Sequence, residues 1–285
     1  LLLTATGTAL AAGIDPFNTA GITPPMPSPQ MAGRQADVPC AREIPGTPLS
    51  AIEAVDLTLC NNPQTREVWA AARVQAAQVG VAQAAWLPNL DGRLGASRYQ
   101  NDSRYYNASS AALTLSWLVF DSGARSANGE YARQLLAAAA ATQDSRVQSL
   151  FLSALQAFYT AQATRAAVVS TTEAERAARE GFNAAESRYN VGVATPADRL
   201  LAQTALSQAT LTRIKAEGEA RNALGALANA MGFKAGQLLT LEPPPAELPA
   251  GDFQREVAAL ITEAEVRRPD LKAAGAQVKA AQAKL

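Results

Sequence analysis

The spacing of apolar positions changes three times along the chain, and each change predicts a different element. Ser50 can cap a helix beginning Ala51-Ile52-Glu53, with Glu53 at the reciprocal position of a capping box. This helix, over residues 51–59, halts near Asn61-Asn62-Pro63, and a second runs from Pro63 to about Trp86, stopping at Leu87-Pro88. The period then falls to two. Over residues 90–99, Leu90, Leu94 and Ala96 alternate with Asp91, Arg93 and Ser97, and residues 100–107 read as a polar loop. Over residues 108–120 a cleaner alternation sets Leu113, Leu115, Trp117 and Val119 against Thr114 and Ser116. Two runs of about ten residues suit tilted strands crossing an outer membrane, with Leu113, Leu115 and Trp117 toward lipid and Thr114 and Ser116 toward a lumen. A soluble hairpin with one buried face has the same pattern.

After Asp121-Ser122-Gly123 the helical period returns and continues from 123 to about 190 without a proline. A helix of that length would extend about 100 Å, which predicts a coiled coil or tube. Its apolar positions Val147, Phe151, Leu155, Phe158 and Val168 step by three, four and their multiples, with alanine between. The charges at Glu173, Glu175 and Arg176 read as a solvated face. Val191-Gly192-Val193-Ala194-Thr195-Pro196 breaks the helix, Thr195 being a good N-cap and Pro196 suited to the first helical position. A return helix is expected over 196–231, with Leu211, Ile214, Leu224, Leu227 and Met231 on its seam and Gly232 at its stop.

Two proline-rich stretches, 13–48 and 239–252, read as extended segments. After the second, residues 253–285 repeat an earlier order: short helix, polar pair, proline (Arg267-Arg268-Pro269 for Asn61-Asn62-Pro63), then an Ala/Gln-rich helix. The chain is therefore expected to hold one repeat over 49–238 and the start of a second, as a portion of a longer protein. Residues 1–12, closing on Ala9-x-Ala11, look like the end of a signal peptide; a frayed helix start is the other reading.

Composition narrows the chemistry. Aromatic residues are 6% and alanine is abundant, as in closely packed helices. Lys+Arg and Asp+Glu are 25 each, so no basic surplus suggests nucleic acid. Histidine is absent, which excludes a Ser-His-Asp triad, a Cys-His pair and a His-based zinc site. Carboxylate-only, Ser-Lys or Tyr-based catalysis stays open in principle, but there is no Gly-rich phosphate loop and no metal-ligand spacing. A non-enzyme without a cofactor is expected. In an exported chain, Cys40 and Cys60 fit a single disulfide, with two free thiols as the alternative.

Four stretches, in order, resemble the TolC-type outer-membrane factors (outer-membrane efflux proteins): Asn61-Asn62-Pro63-Gln64 leading to Trp86-Leu87-Pro88; Trp117-Leu118-Val119-Phe120-Asp121-Ser122-Gly123; Tyr189-Asn190-Val191-Gly192-Val193-Ala194-Thr195-Pro196-Ala197-Asp198; and residues 224–232. The similarity covers residues 49–285, and within the family it is greatest to the branch serving type I secretion, such as the outer-membrane component of adenylate cyclase-haemolysin export. The resemblance implies a mainly α fold with a β-hairpin: long antiparallel α-helical coiled-coil tunnel helices plus transmembrane β-barrel strands. It implies a homotrimer in the outer membrane of a Gram-negative bacterium, extending into the periplasm, in contact with outer-membrane lipid. The partners implied are a periplasmic adaptor and an inner-membrane ABC or RND transporter, and the cargo is exported protein or small molecules. It also matches Asp198 to the acidic residue of a periplasmic gate, with Thr195 and Arg199 beside it as further gate or tip candidates. The hydroxyl residue usual before the acid is Ala197 here, and an acid in a first helical turn is also favoured by the helix dipole, so capping is the competing role for Asp198. A periplasmic adaptor with a helical hairpin is the runner-up, and a soluble enzyme of unusual shape a distant third.

Overall fold

A computed structural model describes residues 15–27, 43–44, 46–101, 104–243 and 257–285. The elements are α1 (Thr19–Ile22), α2 (Ala51–Asn61), α3 (Pro63–Ala84), β1 (Asn89–Asn101), β2 (Arg104–Ser116), α4 (Ala124–Asn190), α5 (Pro196–Ala230), α6 (Val257–Arg267) and α7 (Pro269–Ala283). The chain is mainly helical with one β-hairpin, and α4 runs unbroken for 67 residues. It divides into two compact units, residues 1–25, 68–143 and 265–285 in the first and 26–67 and 144–264 in the second.

In the second unit α2 is the hub. Ser50 Oγ accepts from the Glu53 amide at 3.2 Å while Glu53 Oε2 accepts from the Ser50 amide at 2.9 Å, closing the expected capping box. One face of α2 (Ala54, Leu57) packs with Phe158 and Ala161 of α4, Leu227 and Met231, and Leu49 and Leu241. Its other face (Val55, Leu59) packs with Val147, Leu150 and Ala154 of α4. Burying each such Leu or Val contributes about 1.5–3 kcal/mol. Leu49 and Leu241 form a parallel bridge, with the Leu49 amide donating to Thr240 O at 2.8 Å and the Glu242 amide to Leu49 O at 2.9 Å. The start of the second proline-rich connector is thus pinned to the core.

The first unit packs Val79 and Ala82 of α3 against Ala132 and Leu136 of α4. Ahead of it, α1 forms between Pro16 and Pro24, where the proline-rich segment was expected to have no regular structure. Asp15 explains it: Oδ2 accepts from the Ala20 amide at 2.7 Å and Oδ1 from the Thr19 hydroxyl at 3.1 Å, which starts one turn. The segment is then tied down, Trp69 Nε1 donating to Pro24 O at 3.2 Å and Gln143 Nε2 to Pro25 O at 2.7 Å.

Both α2 and α6 end on a residue in extended conformation, Asn62 (φ −63°, ψ 129°) and Arg268 (φ −67°, ψ 118°), each followed by a proline that opens the next helix. The two stretches compared in the sequence therefore share a local backbone. Several expected details differ. On α5, Leu224, Leu227 and Met231 pack as the seam predicts, but Leu211 and Ile214 are exposed. Those two lie midway along α5, where the cross-helix contacts are polar, Thr210 and Arg213 bonding to Glu175 of α4. Phe151 is likewise partly exposed on α4.

Candidate functional site

Both strands are longer toward their turn than the alternation suggests, and β2 is shorter at its other end. Residues 100–107, expected as a polar loop, are strand apart from 102–103, which lie outside the described residues. Cross-strand aromatic contact sustains the pairing there: Tyr99 and Tyr106, directly opposite, stack with centroids 5.2 Å apart. At the other end β2 stops at Ser116, so Trp117 and Val119 are not strand residues. Trp117 instead donates from Nε1 to Trp86 O at 3.2 Å, outside the ladder.

Directly paired residues of an antiparallel ladder share a face. Leu90 opposes Leu115, Gly92 opposes Leu113 and Leu94 opposes Ala111, so one face is apolar. Asp91 opposes Thr114, Arg93 opposes Ala112 and Asn89 opposes Ser116 on the other. The leucines are uncovered in this chain: Leu94 is 91% exposed, Leu113 76% and Leu115 68%. On the same face, nearer the turn, the Arg98 guanidinium lies 4.8 Å over the Tyr105 ring.

A junction that the sequence reading missed joins the strands to α4. Arg125 is nearly buried; its Nε donates to Asp121 Oδ2 at 2.8 Å, its Nη2 to Val119 O at 3.3 Å, and it lies 4.4 Å over the Trp86 ring. The same carboxylate oxygen accepts the Arg125 amide at 2.8 Å. That backbone hydrogen bond, with the guanidinium, holds the Asp121 carboxyl below its ordinary range. An acid four residues before an arginine, across a Ser-Gly turn, was the available signal.

The turn between α4 and α5 is built from two caps. Gly192 sits at φ 80°, with its amide on Tyr189 O and the Val193 amide on Arg188 O, both at 3.0 Å, which is the Schellman termination. Thr195 then caps α5: its Oγ accepts the Asp198 amide at 3.2 Å, and Asp198 Oδ2 accepts the Thr195 amide at 2.9 Å and its hydroxyl at 2.7 Å. These bonds, the hydroxyl first, hold the Asp198 carboxyl below its ordinary range. Of the three gate candidates, Thr195 and Asp198 are brought together. Arg199 turns away, its guanidinium 5.0 Å over the Tyr189 ring.

Glu175 was read as part of a solvated face and is buried, 7% exposed. Its carboxylate accepts from Arg213 Nε, from Thr210 Oγ at 3.0 Å and from Arg179 Nη2 at 2.9 Å, and Arg213 Nη1 also donates to Glu217. The Arg213 bond first, then Thr210, lowers the Glu175 carboxyl from its usual range. Its neighbours Glu173 and Arg176 do pair on the exposed surface as expected. The spacing to Arg179 signals an ion pair but not burial, because the partners that cover Glu175 lie on α5.

Cys60 is buried on α2 and held in a disulfide, while Cys40 lies outside the described residues. Residues 1–12 and most of the proline-rich stretch 13–48 also lie outside them. Among the described residues no group of His, Cys, Asp and Glu could hold a metal ion, and no helix is long and apolar enough to cross a membrane.

Residues 54–233 match the family model described as outer membrane efflux protein. The chain is 33% identical over 241 residues to Protein CyaE of Bordetella pertussis, covering 83% of this chain and 51% of that protein. The fold is similar to the CmeC outer membrane channel of Campylobacter jejuni (TM-score 0.73, 18% identity, 82% of this chain and 51% of that one). It is similar also to the open state of the MtrE outer membrane channel of Neisseria gonorrhoeae (TM-score 0.64, 22% identity, 81% and 52%). The chain spans about half the length of the relatives it matches. It belongs to the outer membrane efflux protein family.

Proposed function

We propose that the chain is part of a passive export duct in the outer membrane, three copies sharing one barrel and one helical tunnel that extends into the periplasm. The reading rests on the two-faced strand pair. Leucines exposed on one face and charged or hydroxyl side chains on the other are what a strand needs when lipid lies outside and water inside. A two-stranded hairpin with uncovered leucines is marginal alone in water, so further strands and lipid are its natural partners. Energy would come from an inner-membrane ABC or RND transporter acting through a periplasmic adaptor. The identity to Protein CyaE supports the type I secretion branch over small-molecule efflux.

The full-length protein, purified in detergent and added to a planar lipid bilayer, should produce stepwise conductance increments of one size. Protein that stays in the aqueous phase and produces no increments would overturn the reading.

A further inference from the structure

Over residues 162–190 of α4 and 196–215 of α5, Glu175 is the sole buried residue. No buried apolar side chain in that part of the hairpin fixes how far α5 is displaced along α4. Buried apolar residues resume only at Ala161, Ala216 and Leu227. The bulky apolar residues in it, Val168, Phe182 and Leu206, are only half-buried, so apolar burial discriminates weakly between registers there.

We propose that Glu175 is the positioning residue that sets the register of the turn-proximal parts of α4 and α5, beyond the packing of Phe158 and Ala161 with Leu227 and Met231, and with it the level of the Val191–Asp198 turn. The native register places Arg213 and Thr210 on its carboxylate, while Arg179 belongs to its own helix and would follow it in any slide. Sliding α5 by one turn in one direction replaces Arg213 with Ala209 and Thr210 with Leu206, leaving a carboxylate without its cross-helix donors. Sliding it the other way replaces them with Glu217 and Ile214, setting carboxylate against carboxylate. Either slip therefore costs the ion its cross-helix partners, which singles out the native register for this part of the hairpin. A single buried polar group that fixes register between helices is a well-attested device. The inference concerns the helix pair alone and stands whether or not the duct proposal does.

Nitroxides on cysteines introduced by Ser187→Cys and Asn222→Cys, both exposed sites, report the axial offset of the two helices. Distances are measured by pulsed electron resonance in the full-length protein, diluted with unlabelled chain. The parent should give one narrow distance. Glu175→Gln and Arg213→Gln, with helicity retained by circular dichroism, should each add a population displaced by about 5 Å, one helical turn. Thr210→Val, a milder change, should broaden the distribution if either of those fails to fold. Glu173→Gln, two residues away on the exposed surface, should change nothing. A single unshifted distance in Glu175→Gln, or in Thr210→Val where the former does not fold, would overturn the proposal.

Discussion

Gly192 and Gly232 sit at the same φ of 80° and end successive long helices with the same pair of hydrogen bonds, yet their surroundings differ. A Cβ at Gly192 meets nothing within 4 Å, whereas one at Gly232 would lie 2.7 Å from Asn61 O and 2.8 Å from its carbon. Alanine at Gly192 therefore incurs only the left-handed backbone penalty, about 1–2 kcal/mol. Alanine at Gly232 incurs the same penalty and must also push the end of α2 away from the end of α5. That movement strains the Asn62 Nδ2 to Ala230 O hydrogen bond, 2.9 Å long, one of the ties between these helix ends. Such a bond contributes about 0.5–1.5 kcal/mol, so the total for Gly232→Ala is about 1.5–3.5 kcal/mol. Native-state hydrogen exchange read by mass spectrometry resolves the two sites. Gly232→Ala should speed exchange about 10- to 300-fold, at ~1.4 kcal/mol per decade, at the end of α5 and the start of α3. Gly192→Ala should speed it about 5- to 30-fold, confined to the turn. Asparagine tolerates the left-handed region but carries a Cβ, so Gly192→Asn should recover most of the loss and Gly232→Asn little. Equal recovery at both sites would show that the contact with Asn61 carries no energy.

Leu115→Arg should cost about 2–4 kcal/mol of insertion if the site lies near the bilayer midplane, seen as lost membrane incorporation of the full-length protein; normal incorporation would refute the lipid-facing assignment of Leu113 and Leu115. Non-reduced peptide mapping should find Cys60 joined to Cys40, and two alkylatable thiols in protein from the periplasm would contradict that pairing. If Asp198 closes the channel entrance by its charge, Asp198→Ala should raise single-channel conductance while Thr195→Ala, which removes the cap and keeps the acid, should not; equal behaviour would leave both residues as caps only. Because the Glu175 carboxyl is lowered from 4.5 in the folded protein, its stabilisation is present above that value and lost as pH falls through the lower folded one. The melting difference between the parent and Glu175→Gln should therefore be constant down to about pH 4.5 and shrink below it, and a difference independent of pH would refute the role of the charge.

Elements whose cause is local were legible from the chain alone. The starts of α2 and α5 follow from Ser50 with Glu53 and from Thr195 with Pro196, and the stop of α5 from Gly232, because a cap is decided within four or five residues. The family likewise follows from short motifs in order. What lay beyond reach depends on residues far apart in sequence. The strand ends were misplaced because pairing, through Tyr99 on Tyr106 at one end and the loss of partners after Ser116 at the other, overrides alternation. Leu211 and Ile214 have the helical spacing of a seam, but spacing cannot say whether a neighbour is there to cover them. Glu175 shows the same limit most sharply: in the sequence it is one acid among several on a helix, and only the approach of Arg213, 38 residues later, removes it from water. Periodicity and caps are properties of a segment, whereas burial is a property of the surface that arrives opposite it.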